Sequence, residues 1–470
     1  MVATSRGVIV ASAGRIGDPH ALHHLVRKLS CRQRQRSRPD GFPRRASPGV
    51  MSAQSVSSRR RLSQAELDII VGSHERFIAG KPGGKRASVR FADLTGLDLS
   101  RRQLSDADFA GSTFDGCKLM GAHLQRAILF GCSFRQSDMR HAVMIRADIR
   151  GACLRGADLS GANLTDADFR EGQIAIPHPR KGLDVVRHEH RNGELDLANF
   201  AGATLNGSNL HGVSAHAADF TDCSMKGARL TGANLKDANM SGALLEGAEF
   251  AGANLQGARL TGAVLTGVDM DGMRRLGADL SDCLSPPAAT AVRLGVLLQR
   301  AKGHRHWLES GGGEGQAANF DGEDLRGLGD ALKGLMLTAV SAKGACLVGL
   351  DLTGAQLQAA NFEGADLRGT MCAQADLRGA RLTNANLTKA DMRKANLGAL
   401  PLGAGRMTNT QLRGAKLRYA NLTGTTLTGA VMDQADLSGA DCSGAAFKGA
   451  SLRGAQIDSA ISLEFGQEAA

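Results

Sequence analysis

One tryptophan, one tyrosine and fifteen phenylalanines supply all the aromatic side chains of this 470-residue chain. A thick globular core draws much of its buried area from aromatics, so their scarcity points to an interior too narrow to hold them. No run of eighteen apolar residues occurs, which excludes a membrane-spanning helix, and the apolar stretch within Met1–Ala13 is too interrupted for a signal peptide. Nine cysteines include no C-x-x-C pair. They read as reduced thiols of a cytoplasmic protein, not as a disulfide framework. Also missing are G-x-S-x-G, the Walker phosphate loop and H-E-x-x-H. Gly80-Lys81-Pro82-Gly83-Gly84-Lys85 lacks the spacing and the Ser/Thr of a phosphate loop, and His178, His188 and His190 have no fourth ligand at metal-binding spacing. The expectation is a protein without cofactor, metal or catalytic residues.

Charge imbalance is absent from most of the chain too. The net charge of +11 comes from residues 1–61, where thirteen Lys/Arg face only Asp18 and Asp40. Residues 62–470 hold 44 basic and 44 acidic groups, a balance that argues against a nucleic-acid surface there. The arm 1–61 places Arg32, Arg34, Arg36, Arg38, Arg44 and Arg45 among Pro and Ser without apolar periodicity. It reads as a disordered basic arm suited to nucleic acid or another acidic surface, or as an untranslated stretch if synthesis starts at Met51.

What the chain does contain is an apolar residue at every fifth position. The series runs from Leu94 to Phe169, from Leu195 to Leu280 and from Leu332 to Ile457, sixty central positions with one charge, Arg275. Two residues earlier stands a small residue, usually Ala, as at Ala107, Ala157 and Ala253. Cys117, Cys132 and Cys223 share that small slot, whereas Cys372 and Cys442 take the central one. Asp or Asn stands between the two, and Gly is frequent two residues after the central one. Neither an α-helix nor a flat strand has this period. Positions two apart on an extended segment face the same way, so the small and central residues point inward and the polar one outward. The remaining two residues turn the chain. Each pentad is one side of a coil, and a coil buries its apolar face only by stacking on others.

Ala157-Asp158-Leu159-Ser160-Gly161 and Ala253-Asn254-Leu255-Gln256-Gly257 resemble the A(D/N)LxG units of pentapeptide-repeat proteins, and the likeness extends over about residues 87–458. It implies an all-β solenoid, a right-handed quadrilateral β-helix with four pentads per coil. Phe114/Phe134 and Phe200/Phe220, twenty residues apart, would then stack. Fifteen uninterrupted coils at a strand spacing of about 4.8 Å make a rod roughly 70 Å long. Three arrays are expected, at 87–169, 195–282 and 319–458. A protruding loop at 170–194 and a Pro/helix/Gly linker at 283–318 separate them, and a tail follows at 459–470. Residues 62–86 form a capping helix and hinge: Ser63-x-x-Glu66 is a capping box, Leu62 and Leu67 a staple, and Leu67, Ile70, Val71, His74, Phe77 and Ile78 a helical stripe. His304-x-x-Trp307-Leu308 and its Gly-rich sequel echo His74-x-x-Phe77-Ile78 and Gly83-Gly84, a duplicated module of cap helix, Gly hinge and coils. Around Arg275 the backbone of Gly272–Gly277 should bulge and let Leu276 turn inward.

With twenty residues per coil, Arg126 stacks with Arg146, Arg135 with Arg155 and Arg150 with Arg170, while Phe130 and Ile145 take outward positions. Arg126, Phe130, Arg135, Ile145, Arg146, Arg150 and Arg155 are therefore the candidate partner-binding surface, with Asp138, Asp148 and Asp158 near enough to neutralise it. The function expected is a non-enzymatic rigid scaffold for an unidentified protein partner, in an oligomeric state the sequence does not fix. Some members of the resembled family mimic DNA and bind type II topoisomerases, but mimicry needs a strongly negative rod.

Overall fold

The computed structural model describes residues 59–178, 182–287 and 290–462. The expected basic arm lies outside it as far as residue 58, and so does the tail beyond residue 462. The last arm residues belong to the solenoid instead: Arg60–Arg61 (β1) pairs in parallel with Ala92–Asp93 (β2), and Leu62 is buried behind them.

Backbone hydrogen bonds explain the pentad. In Ala92-Asp93-Leu94-Thr95-Gly96, the central Leu94 N–H donates to Thr113 O (2.8 Å) and Gly96 N–H to Asp115 O (3.0 Å), both on the next coil. Thr113 N–H returns a bond to Ala92 O (2.9 Å), and Leu97 N–H closes the corner on Leu94 O (3.1 Å). One N–H is left over, that of Thr95, and Asp93 Oδ1 accepts it at 3.0 Å. This is why Asp or Asn recurs there: where one is present, its carboxylate or amide oxygen can cap the first residue of the corner that follows. The carbonyl of the second corner residue takes no part in the lattice.

Bridges join residues twenty apart, as in Asp93↔Thr113↔Ser133↔Cys153, so four pentads make one coil. Phe114 stacks on Phe134 at 4.8 Å and 12°, and Phe200 on Phe220 at 5.0 Å and 10°, as the spacing predicts. The central Leu159, Leu164 and Leu255 are buried.

The coils do not form one rod. Cys153↔Glu194 and Asp168↔Asn209 carry the ladder straight across residues 170–194, which leave the column as an antiparallel hairpin, Gly172–His178 (β3) and Gly182–Arg191 (β4), and return to it. Residues 60–285 are therefore one column with one apolar core, and residues 318–461 build a second column with its own. The second runs back beside the first. Arg326 reaches Ser285 O, Arg368 reaches Gly262 O, Lys389 reaches Gly202 O, and Ser459 bonds His141.

Each column begins under a helix. Gln64–Ile78 (α1) is N-capped by Ser63 with the capping box formed, and Ala291–Glu309 (α2) is N-capped by Thr290. α1 buries Leu67, Val71 and His74, and α2 buries Leu297, Ala301 and His304. The stripe of α1 fades past His74, leaving Phe77 45% exposed, because the bore is already covered. Gly84 lies where a Cβ would stand 2.3 Å from the Phe77 nitrogen, so the glycine run packs directly on the end of the helix.

Other expectations need correction. Leu402 (51% exposed) and Met407 (57%) hold the pentad period yet stand outside the column, in the hairpin Leu400–Gly403 (β5) and Arg406–Thr408 (β6). Pro401 occupies the slot whose N–H must join the ladder, and Leu400 is too large for the small slot, so these ten residues are extruded. Phe320 and Leu325 are buried central residues two positions out of phase with Leu332, because a 3₁₀ turn at Arg326–Leu328 lengthens that coil to twenty-two residues. No bulge forms at Arg275: Arg274 and Asp279 keep their bridges, Leu276 is 78% exposed, and Arg275 points into water from the column's last coil.

Candidate functional site

The seven candidate residues fall on three successive corners of the first column. Arg126, Ile145 and Arg146 share the corner between the ladders of Val143 and Asp148; Phe130 and Arg150 take the next, and Arg135 and Arg155 the one after. Their charges are mostly matched coil to coil. Arg126 Nη2 lies 2.6 Å from Asp106 Oδ2 and Arg146 Nε 3.4 Å from Asp166 Oδ2, while Arg150 Nε binds Asp148 Oδ1 at 2.8 Å. The Arg126 hydrogen bonds hold the Asp106 carboxyl below its usual range. Arg135 Nη2 is 3.8 Å from Glu194 Oε2, and Arg155 is exposed.

The Phe130 corner is already occupied. Arg150 stacks 5.4 Å over the Phe130 ring, and Gly172 at the foot of β3 sits so close that a Cβ there would come within 2.8 Å of Phe130 Cε2. From β4, Arg191 Nη1 donates to Gly131 O at 3.4 Å. His190 is exposed with Gln173 Nε2 at 2.6 Å from its Nε2. Among the described residues no three His, Cys, Asp or Glu are grouped to hold a metal ion.

A second surface lies where the columns meet. Val143, Asn163, Thr204, Ser224, Leu244, Val264 and Leu284 form one ladder of the first column, and none of them is charged. Its far end is apolar: Leu244 and Val264 are buried against Val348 of the second column, with Leu284 and Cys346 alongside. Its near end is polar and opens into a cleft of about 590 Å³ lined by Asn163, Thr204, Ser224, Lys389, Arg393 and Asp441 among others.

Lys389 Nζ donates to Gly202 O at 2.7 Å and to Thr204 Oγ1 at 3.0 Å, and burial pulls its ammonium down to about 8. Arg418 Nη1 stands 3.1 Å from Asp222 Oδ2, an ion pair without hydrogen-bond alignment, since that oxygen accepts no hydrogen bond among the described residues. Burial pushes the Asp222 carboxyl up against the opposing pull of Arg418. Tyr419 lies flat on Gly202, where a Cβ would meet its ring at 2.1 Å, so only glycine fits this contact with the ring in place.

This joint escapes a reading of the linear sequence. Its signal is present, since Leu244, Val264 and Leu284 are three apolar residues in succession, twenty apart, in a slot that is mostly polar, but that spacing means something only once the coil length is known.

Burial keeps the described small-slot thiols protonated. Cys132 Sγ donates to Phe109 O at 3.0 Å and Cys117 Sγ to Leu94 O at 2.9 Å; burial pushes Cys132 up to about 12 and Cys117 to about 11. A thiol so raised stays protonated at neutral pH.

Stacked coils, helical lids and a surface of lattice-bound polar residues define a repeat protein of the β-solenoid class. The chain belongs to the pentapeptide-repeat family: the family model described as pentapeptide repeats matches residues 87–126, 117–156, 127–166, 194–232, 228–267, 337–371, 360–398, 406–441 and 427–461, more than half of the chain. Solved structures similar to it include HetL from the cyanobacterium Nostoc sp. strain PCC 7120, a pentapeptide repeat protein involved in heterocyst differentiation regulation (20% identity over 82% of this chain and 94% of that one, TM-score 0.18). Rfr23 from the cyanobacterium Cyanothece 51142 is 28% identical over 29% of this chain and 90% of that one (TM-score 0.18). Full-length QnrB1, a plasmid-mediated fluoroquinolone resistance protein, is 19% identical over 44% of this chain and 99% of that one (TM-score 0.18). No curated protein sequence matches. Among the described residues no helix is long and apolar enough to cross a membrane.

Proposed function

We propose that this chain is a non-enzymatic scaffold, a right-handed four-sided β-helix whose outward side chains meet a protein partner at coil spacing. The observation that supports this reading is the closed accounting of the coil. The ladder Asp and Asn residues cap corner N–H groups, as Asp93 and Asp158 do; many corner arginines are matched by carboxylates; and the central and small slots are sealed in the bore. What is left for function is the regular placement of surface groups, which tolerate substitution because the inward positions specify the fold.

The corner of Arg126, Ile145 and Arg146 is the proposed contact, because it faces solvent while the hairpin β3–β4 leans on the Phe130 corner. Arg135, Arg150 and Arg155 flank it. Affinity capture with the wild type and with the Arg126→Glu/Arg146→Glu double variant tests the assignment. Loss of a specific partner from the variant supports it, and an unchanged set of partners removes the corner. Catalytic turnover by the purified protein removes the class.

A further inference from the structure

The joint between the columns is built differently from the columns themselves. Each column keeps a separate apolar core under its own helix, so parting them uncovers neither bore. The joint's buried apolar contact is Leu244, Val264 and Val348, close to Leu284, where the chain leaves the first column. Further along, the contact is polar, and a cleft of about 590 Å³ lies beside it, ample for water.

We propose that the two columns form a hinged clamp. Leu244, Val264 and Val348 act as its pivot, and Lys389, Arg418 and Tyr419 closing on Gly202 and Asp222 act as its latch. Opening widens the cleft between the columns and exposes the ladder from Val143 to Ser224 to water. This goes beyond the scaffold reading and does not depend on it.

The latch is suited to release because little is lost when water replaces it. Lys389 Nζ meets only neutral acceptors, Gly202 O and Thr204 Oγ1. Such exchanges of protein for water hydrogen bonds are nearly balanced. Arg418 and Asp222 lack alignment, so the cost of desolvating two charges is poorly offset. Tyr419 rests on the backbone at Gly202, which has no side chain to hold the ring. The pivot, in contrast, buries apolar surface that opening at the far end leaves covered. Of the four ladders of the first column, the one that opening exposes is the one whose residues from Val143 to Leu284 are all uncharged.

Two variants of the full chain test this. Lys389→Met keeps the side-chain length and removes both latch bonds. Gly202→Asn drives a wedge into the space of the Tyr419 ring. Asn tolerates the left-handed conformation that Gly202 holds (φ +62°), and the fold already places Asn384 there (φ 58°). X-ray scattering of both variants should shift the pair-distance distribution to longer vectors than in the wild type. Circular dichroism and Trp307 emission should stay unchanged, since neither core nor cap is touched. Scattering superimposable on the wild type in both variants overturns the clamp. Loss of the dichroism or Trp307 signal in both also overturns it, because the columns would then depend on the joint to fold.

Discussion

A residue's fate in this chain depends on whether its slot closes into a coil, and two leucines show it. Leu230 and Leu402 occupy equivalent places in the five-residue period; the first is wholly buried and the second is 51% exposed. Leu230→Ala should therefore cost about 2–5 kcal/mol, the usual price of a core cavity. Leu402→Ala should stay within about 0.5 kcal/mol. Denaturant midpoints followed by circular dichroism give both numbers, and equal losses would place Leu402 back in the bore. The inward set from Leu94 to Phe169 was fully legible in the sequence, because burial acts on every fifth residue without exception. Leu402 and Met407 were misread because period alone ignores the ladder N–H that Pro401 cannot supply.

At the scale of elements, the two lids repeat one device. His74 Nδ1 accepts from Ala87 N–H at 3.1 Å, and its Nε2 lies 3.0 Å from Ser105 O. His304 does the same with Ala318 N–H (2.9 Å) and Thr338 O (2.9 Å), stacked on Trp307 at 5.5 Å. A ring that accepts at Nδ1 and donates at Nε2 is neutral, and burial lowers both imidazoles below their ordinary value of 6.5. The unfolded chain thus binds protons that the folded one refuses. The stability held in these lids is complete above about pH 6.5 and is lost as the pH falls below it toward the folded-state value, ahead of the carboxylates. Trp307 emission during thermal melts should show a flat midpoint above about pH 6.5 and a decline as the pH falls below it. In His304→Leu that decline should shrink; an undiminished slope would clear the histidine of the role. The echo of His74 in His304 was visible in the sequence, whereas the bonds each ring makes depend on chain thirty residues away.

For the molecule as a whole, the coil counts corners and ignores what happens outside them. Arg381 pairs with Gln411 across thirty residues and Cys153 with Glu194 across forty-one. Removing the ten residues 400–409, or the twenty-one residues 172–192, restores a spacing of twenty in each case. Both deletions should fold with wild-type dichroism and a melting midpoint changed by only a few degrees, on the order of 1 kcal/mol. Collapse of either column would show that its hairpin is part of the ladder. The antiparallel return of the second column was not legible, since it rests on contacts such as Arg368 with Gly262 that lie 106 residues apart. The candidate surface was half legible: Asp148 does lie near enough to neutralise Arg150, whereas Asp106 and Asp166, which pair with Arg126 and Arg146, and the hairpin leaning on Phe130 were not read from the sequence.

The carbonyl left out of the lattice at each corner has a spectroscopic consequence. Most amide hydrogens in the coils are bonded, to a neighbouring coil, across the corner or, at many corners, to an Asp or Asn side chain, whereas about one carbonyl in five is left out of the lattice, open to a cation such as Lys389. Donors and acceptors are thus hydrated unequally along the same backbone. Hydrogen exchange would report a rigid, sealed chain, and the infrared amide band would report a wet one, because the first watches protons and the second watches oxygens.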